Sequence, residues 1–328
     1  MLKTSKGVMK MNKYFLHPFE VRTVTEEALD IPAGVRMIKA PEIWDQSNKG
    51  DNVVVAIIDS GCMVNHPDLA GRIIDVKNFV LEEGTADDVT DKSGHGTHVA
   101  GTIGAILNDQ YVAGVAPEVK ILVVKVMEPV QTPRGIRFAT SAGRIINAIR
   151  YCIDWRGPNG ERVRVINMSF GDKHEATGLH DAIIDAVNAD ILLICAAGNE
   201  GDNNPNTEEV SYPAYFDEVV CVGAVTLQKK ITDFTNTNDG LDLVAPGEDI
   251  KSTYKDGKVR LMSGTSMAAP HVSGAAALVI NQCEKDFRRS FTESEVFAQL
   301  IKRTVTLGYS PVEEGNGLLV LTEGYRHP

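Results

Sequence analysis

The run Val53-Val54-Val55-Ala56-Ile57-Ile58-Asp59-Ser60-Gly61 constrains the fold of this chain more than any other stretch. A half-exposed strand alternates apolar and polar residues, whereas this one is apolar without interruption until an acid and a glycine end it. It therefore reads as a parallel strand buried on both faces, with Asp59 at its carboxyl end. Three further β-rich runs follow at 120–126, 163–169 and 219–225. Helical patterns lie between and after them, at about 141–154, 178–189 and 265–282, with another near 293–304. Strands alternating with helices predict an α/β fold with a doubly wound, mainly parallel central sheet flanked by helices. Ligands of such sheets bind at the carboxyl ends of the strands, where Asp59 falls.

A chain of 328 residues with 43% hydrophobic content can bury one large α/β core without a second domain. Its formal charge of −11, from 33 basic and 44 acidic residues, argues against nucleic acid or an anionic membrane as partner. No run is long and apolar enough to span a bilayer. The basic N-terminus, Met1 to Lys13, is followed by no apolar segment of signal-peptide length. Five cysteines (Cys62, Cys152, Cys195, Cys221 and Cys283) are odd in number and unpatterned. Cys195 and Cys221 lie inside apolar strands, where cysteine behaves as a small hydrophobe. A reduced, cytoplasmic protein is the expectation.

The run Ser263-Gly264-Thr265-Ser266-Met267-Ala268-Ala269-Pro270-His271 places a hydroxyl at the start of a small-residue helix. A serine there is ordinarily a cap. Here Gly264 allows close backbone approach, the helix dipole favours developing negative charge at Ser266, and Pro270 is tolerated only near a helix start. A hydroxyl still needs a base. The run Asp91-Lys92-Ser93-Gly94-His95-Gly96-Thr97-His98-Val99-Ala100-Gly101 offers two imidazoles. His95, in the glycine-framed turn, can reach out from the sheet edge. His98, three residues on, falls on the core face of the helix and is read as structural, as is His271.

With Asp59, His95 and Ser266 in that order, the chain resembles the subtilisin-like serine proteases. The resemblance rests on Val-Ala-Ile-Ile-Asp59-Ser-Gly, Gly-His95-Gly-Thr-His-Val-Ala-Gly, Ala-Ala-Gly198-Asn199-Glu-Gly and Gly-Thr-Ser266-Met-Ala-Ala-Pro-His, four motifs in family order. It implies a serine endopeptidase of broad specificity acting on peptides or proteins through an acyl-enzyme. Ser266 is then the nucleophile, His95 the proton carrier and Asp59 its orienting acid. By itself, Asn199 after a Gly is an ordinary turn residue. Beside the other motifs it is the side-chain donor of the oxyanion hole, with the Ser266 N–H as second donor.

The same resemblance makes Ser169-Phe170-Gly171 the strand that pairs with substrate, although Phe170 is equally consistent with plain packing. Gly198 belongs to the wall formed by 196–200, and Ser211 to the floor, of the primary specificity pocket. Glu200 at its rim would favour a basic side chain. The segment 127–138 departs from the family, which has a Gly-Ser-Gly edge strand here; this chain is longer, proline-bearing and basic. A structural calcium site is implied at Asp68 and Asn108, with carbonyls of Ile106, Gln110 and Val112. Leu29 falls where the family has a glutamine ligand, and Asp68 also suits a plain turn. There is no His-Glu-x-x-His zinc run and no sign of an organic cofactor.

About thirty residues precede the catalytic domain, giving a 1–30 extension and a 31–328 peptidase domain. This brings the chain nearest to the intracellular bacterial subtilisins, whose short extension lies across the active site through a Leu-Ile-Pro-Tyr type motif. Leu16-His17-Pro18-Phe19 differs from it at two positions. Residues 1 to about 20 are expected to occlude the cleft and be removed on activation, the alternative being a loose leader. Other readings are a catalytically silent peptide-binding or regulatory relative and an α/β-hydrolase esterase. The second lacks the Gly-x-Ser-x-Gly motif and has another triad order. Self-association as a homo-oligomer and the initiator, Met1, Met9 or Met11, stay open.

Overall fold

In the computed structural model, residues 13–24, 30–108, 110–133 and 135–325 are described. The uninterrupted apolar run becomes the strand Val54–Asp59, and its pleat explains why nothing alternates. Val55 and Ile57 enter one hydrophobic core, and Val54, Ala56 and Ile58 enter the other. The strand is central to a nine-stranded sheet. In order, the sheet runs Thr304–Val305, Leu318–Leu319, Leu243–Pro246, Val219–Val225, Leu192–Ala196, Val163–Met168, Val54–Asp59, Lys120–Lys125 and Ile73–Asn78. All its pairings are parallel except the one between Thr304–Val305 and Leu318–Leu319. The chain is thus α/β with a mainly parallel sheet, as its alternating pattern predicts.

Helices cover both faces. On one lie His95–Gly104 and Thr265–Phe287, contributing Val99, Ile103, Val272 and Ala275 to the core. On the other, Ala142–Asp154 and Leu179–Asn188 contribute Ile145, Ile149, Leu179 and Ile183. Two boundaries differ from the periodicity. The helix expected to end near 282 continues to Phe287, where Arg288 at φ 55° turns the chain out of it. The pattern near 293–304 ends as a helix at Ile301, because Thr304 and Val305 pair as an edge strand. All five cysteines are buried free thiols, and among the described residues no helix is long and apolar enough to cross a membrane.

Two small sheets sit at the carboxyl edge. The segment 127–138 contributes to an antiparallel hairpin, Glu128–Thr132 with Gly135–Ser141. Its second strand pairs with Lys13–Leu16, which pairs on its other side with Phe170–Gly171. The departure in sequence therefore still supplies an edge strand. A second sheet joins Ile250–Thr253, Val259–Ser263 and Glu20–Thr23.

Candidate active site

Asp59 ends its strand 1% exposed, and His95 opens its helix fully buried. His95 Nδ1 lies 2.9 and 3.0 Å from the two carboxylate oxygens of Asp59, and the Ser60 N–H donates to Asp59 Oδ1 at 2.6 Å. Asp91 locks strand and helix together. Its Oδ1 accepts from the Ser60 hydroxyl at 2.9 Å and the Gly94 N–H at 2.8 Å, and its Oδ2 from the Thr97 N–H at 2.9 Å. Lys125, buried on the neighbouring strand, donates to the Thr90 carbonyl and braces the approach to Asp91. His98 and His271 are occupied elsewhere. His98 Nε2 bonds the Ile250 carbonyl at 2.9 Å, and His271 Nδ1 the Met267 carbonyl at 2.8 Å. Burial pulls their pKa values down to about 3 and about 4, so both are neutral.

Ser266 is fully buried in the first turn of its helix. Its hydroxyl donates to the Ser169 carbonyl at 3.2 Å, and among the described residues His95 Nε2 makes no hydrogen bond. The imidazole and the hydroxyl are thus not hydrogen-bonded to each other. Pro270 has no N–H for the Ser266 carbonyl four residues back. The Ser169 hydroxyl replaces that donor at 3.4 Å, tying Ser169 to the backbone of Ser266. Asn199 is clamped by Thr265, whose N–H and hydroxyl donate to its Oδ1 at 2.9 and 2.8 Å. The amide nitrogen is left facing the cleft. It donates to the Pro18 carbonyl at 2.6 Å.

The cleft is filled by the chain's own N-terminal segment. Lys13–Leu16 runs between the hairpin and Phe170–Gly171, with Phe15 opposite Gly171 and Leu16 opposite Phe170. Phe19 sets its ring 5.0 Å from that of His95, and Glu20–Thr23 then pairs with Val259–Ser263. His17, 3% exposed, brings its Nδ1 to 3.9 Å from Glu200. Burial pushes the Glu200 carboxyl up, but His17, Asn236 and the Asn199 N–H outweigh it and hold it at about 2. Phe170 pairs with Lys13–Leu16 through its backbone alone, its ring being fully buried in the core. A Cβ at Gly171 would fall 1.9 Å from the Ser211 hydroxyl, so any larger residue there would have to push that side chain aside. Gly198 turns the wall at φ 116°, and its N–H donates to the Thr265 hydroxyl at 3.2 Å.

Asp91, Thr265 and Pro18 were not singled out by the motifs. Asp91 stands four residues before His95, and Thr265 adjoins Ser266, so both lay within runs whose more reactive members drew the reading.

The loop expected to bind calcium does gather around Asp68, which is fully buried and in no ion pair among the described residues. An uncompensated buried carboxylate suits a hard cation. Its neighbours, however, present donors. Asp68 Oδ1 accepts from Asn108 Nδ2 at 3.2 Å, and Oδ2 from the Val112 N–H at 2.9 Å. Asn108 Oδ1 is taken by the Gln110 N–H and the Ile106 carbonyl by the Asn108 N–H. Binding would require Asn108 to turn its oxygen inward. Leu29 lies outside the described residues, among which no group of three His, Cys, Asp or Glu forms a metal cluster.

A hydroxyl at a helix start, with a carboxylate-held imidazole opening a second helix after the carboxyl edge of a parallel sheet, suits a serine endopeptidase. The subtilase family model matches residues 50–318, so the chain belongs to that family and is a subtilisin-type serine endopeptidase. It is 45% identical over 311 residues to an intracellular serine protease of Paenibacillus polymyxa, covering 94% of this chain and 91% of that one. To the major intracellular serine protease of Bacillus subtilis (strain 168) it is 44% identical over 308 residues, 94% and 93% of the two chains. Subtilisin E of the same organism is 38% identical over 297 residues, 90% of this chain and 71% of that one.

Proposed function

We propose that this chain cleaves peptide bonds with broad specificity through an acyl-enzyme on Ser266, inside the cell, and that residues 1 to about 20 hold it inactive in cis. Ser266 Oγ attacks the scissile carbonyl while His95 takes its proton and returns it to the leaving amine. Asp59 fixes the imidazole tautomer and stabilises its cationic form. Asn199 Nδ2 and the Ser266 N–H receive the oxyanion. The observation that carries this reading is a peptide carbonyl, that of Pro18, bonded to Asn199 two residues after a strand, Lys13–Leu16, that is paired on both sides as a substrate would be. Pairing through main chain leaves recognition tolerant of sequence. Two relatives that are named intracellular serine proteases support the location.

The test compares the full chain with one beginning at Val21. The shorter chain is expected to hydrolyse peptide esters faster and to be labelled at Ser266 by a phosphonylating reagent. Equal activity would remove the inhibitory role. Failure of both chains to label would instead favour the silent, peptide-binding relative.

Calcium at Asp68 and Asn108, with carbonyls of Ile106, Gln110 and Val112, is part of the same proposal and supplies rigidity to a surface loop. An ion at a hundred times its Kd adds about 2.7 kcal/mol to stability by mass action. A chelator is therefore expected to lower Tm by several degrees. An unchanged Tm would leave Asp68 as a turn residue.

A further inference from the structure

The hairpin of Glu128–Thr132 and Gly135–Ser141 replaces the edge that the family resemblance leads one to expect, and one of its side chains reaches into the cleft. Arg137 lays its guanidinium over the ring of Phe15, 4.4 Å from the centroid, and its Nη2 donates to the Leu16 carbonyl at 3.4 Å. Among the described residues no carboxylate pairs with Arg137, so the aromatic face is its principal partner. Strand pairing fixes what stands there. Tyr14 and Leu16 point into the core, whereas Phe15 and His17 share the opposite side, lining with Arg137 and Glu200 a cavity of about 140 Å³. Any peptide that takes the place of Lys13–Leu16 between the same two strands must present every second side chain to Arg137 and to Glu200.

We propose that Arg137 is a specificity-determining residue, selecting an aromatic side chain two positions upstream of the substrate residue that occupies the His17 position beside Glu200 and Ser211. The assignment rests on the reading that the N-terminal segment lies in the cleft as substrate does. It goes beyond that reading by naming which substrates are preferred. A guanidinium stacked on a ring at a partly exposed site favours the complex about two- to fivefold over an alanine there. Lysine carries the charge without the flat face, so it restores only part of that preference.

The test uses the full chain, incubated until its rate is constant, and arylamide peptides of sequence Lys-Tyr-X-Leu-His with X as Phe, Ala or Glu. Wild type is expected to favour Phe over Ala in kcat/KM by two- to fivefold. Arg137→Ala should bring that ratio to about one, and Arg137→Lys should fall between. The proposal is overturned by a ratio that survives Arg137→Ala or by an equal loss on both peptides, which would mean a damaged hairpin. It is also overturned by a preference for Glu over Phe that Arg137→Ala abolishes, since Arg137 would then select acids. Whether the segment inhibits is read separately, from the chain beginning at Val21, so the two ideas fail independently.

Discussion

In the proposed mechanism Thr265 does for Asn199 what Asp59 does for His95: it fixes the orientation of a side chain that must not turn at the moment of reaction. Thr265→Val removes the hydroxyl bond to Asn199 Oδ1 and the acceptor of the Gly198 N–H, and keeps the backbone bond to Asn199. A net hydrogen bond is worth about 1 kcal/mol, so kcat should fall about fivefold. KM should stay put, because the amide acts on charge that develops only in the transition state. Steady-state kinetics on one peptide ester decides it; an unchanged kcat would mean that the backbone donor suffices. Asp59, His95, Ser266 and Asn199 were legible because each stands in a short run of glycines and small residues. Asp91 and Thr265 were not, because their work is done across the fold. Asp91 meets Ser60 31 residues away, and Thr265 meets Asn199 66 away, distances at which sequence spacing carries no signal.

The helix Thr265–Phe287 shows why its sequence is so rich in small residues. At Gly274 a Cβ would fall 2.6 Å from the Val115 Cβ and 3.1 Å from the Ile103 carbonyl, so the helix carrying Ser266 and the helix carrying His95 meet almost backbone to backbone. Gly274→Val is expected to destabilise by about 1–3 kcal/mol through overpacking, lowering Tm by roughly 2–4 °C for each kcal/mol. Calorimetry measures it, and an unchanged Tm would show that the two helices can slide apart. Long buried elements such as this one were legible from composition. The strand Lys13–Leu16 was not: it has four residues, and its partners stand at 139–141 and 170–171. The sequence motif 16–19 suggested where the segment goes, but its pairing as a middle strand depends on a hairpin that local pattern did not predict.

Over the whole molecule, two half-buried acids work against stability as pH rises. Burial raises Asp242 to about 6 from its ordinary value near 4, and burial with the nearby Asp190 raises Glu293 to about 7. An acid whose folded pKa is raised favours its neutral form in the fold. Its penalty is absent below the unfolded pKa, grows as pH rises through the folded value and then stays constant. For Asp242 two pKa units correspond to at most about 3 kcal/mol. Asn keeps an acceptor for the Cys221 N–H, which donates to Asp242 Oδ2 at 2.8 Å. Asp242→Asn should therefore raise Tm at pH 8 and leave it unchanged at pH 4. A gain of equal size at both values would point to packing rather than charge. The place of Lys13–Leu16 between two strands has one more consequence. Neighbouring strands lie about 4.8 Å apart, so its departure opens a slot roughly 10 Å wide, room for one extended chain. A helix, about 10–12 Å across with its side chains and with its own carbonyls already engaged, neither fits nor pairs there. On the proposed function, folded proteins are sorted by how readily they yield a short straight stretch, so that local unfolding of the target bears on which bonds are cut.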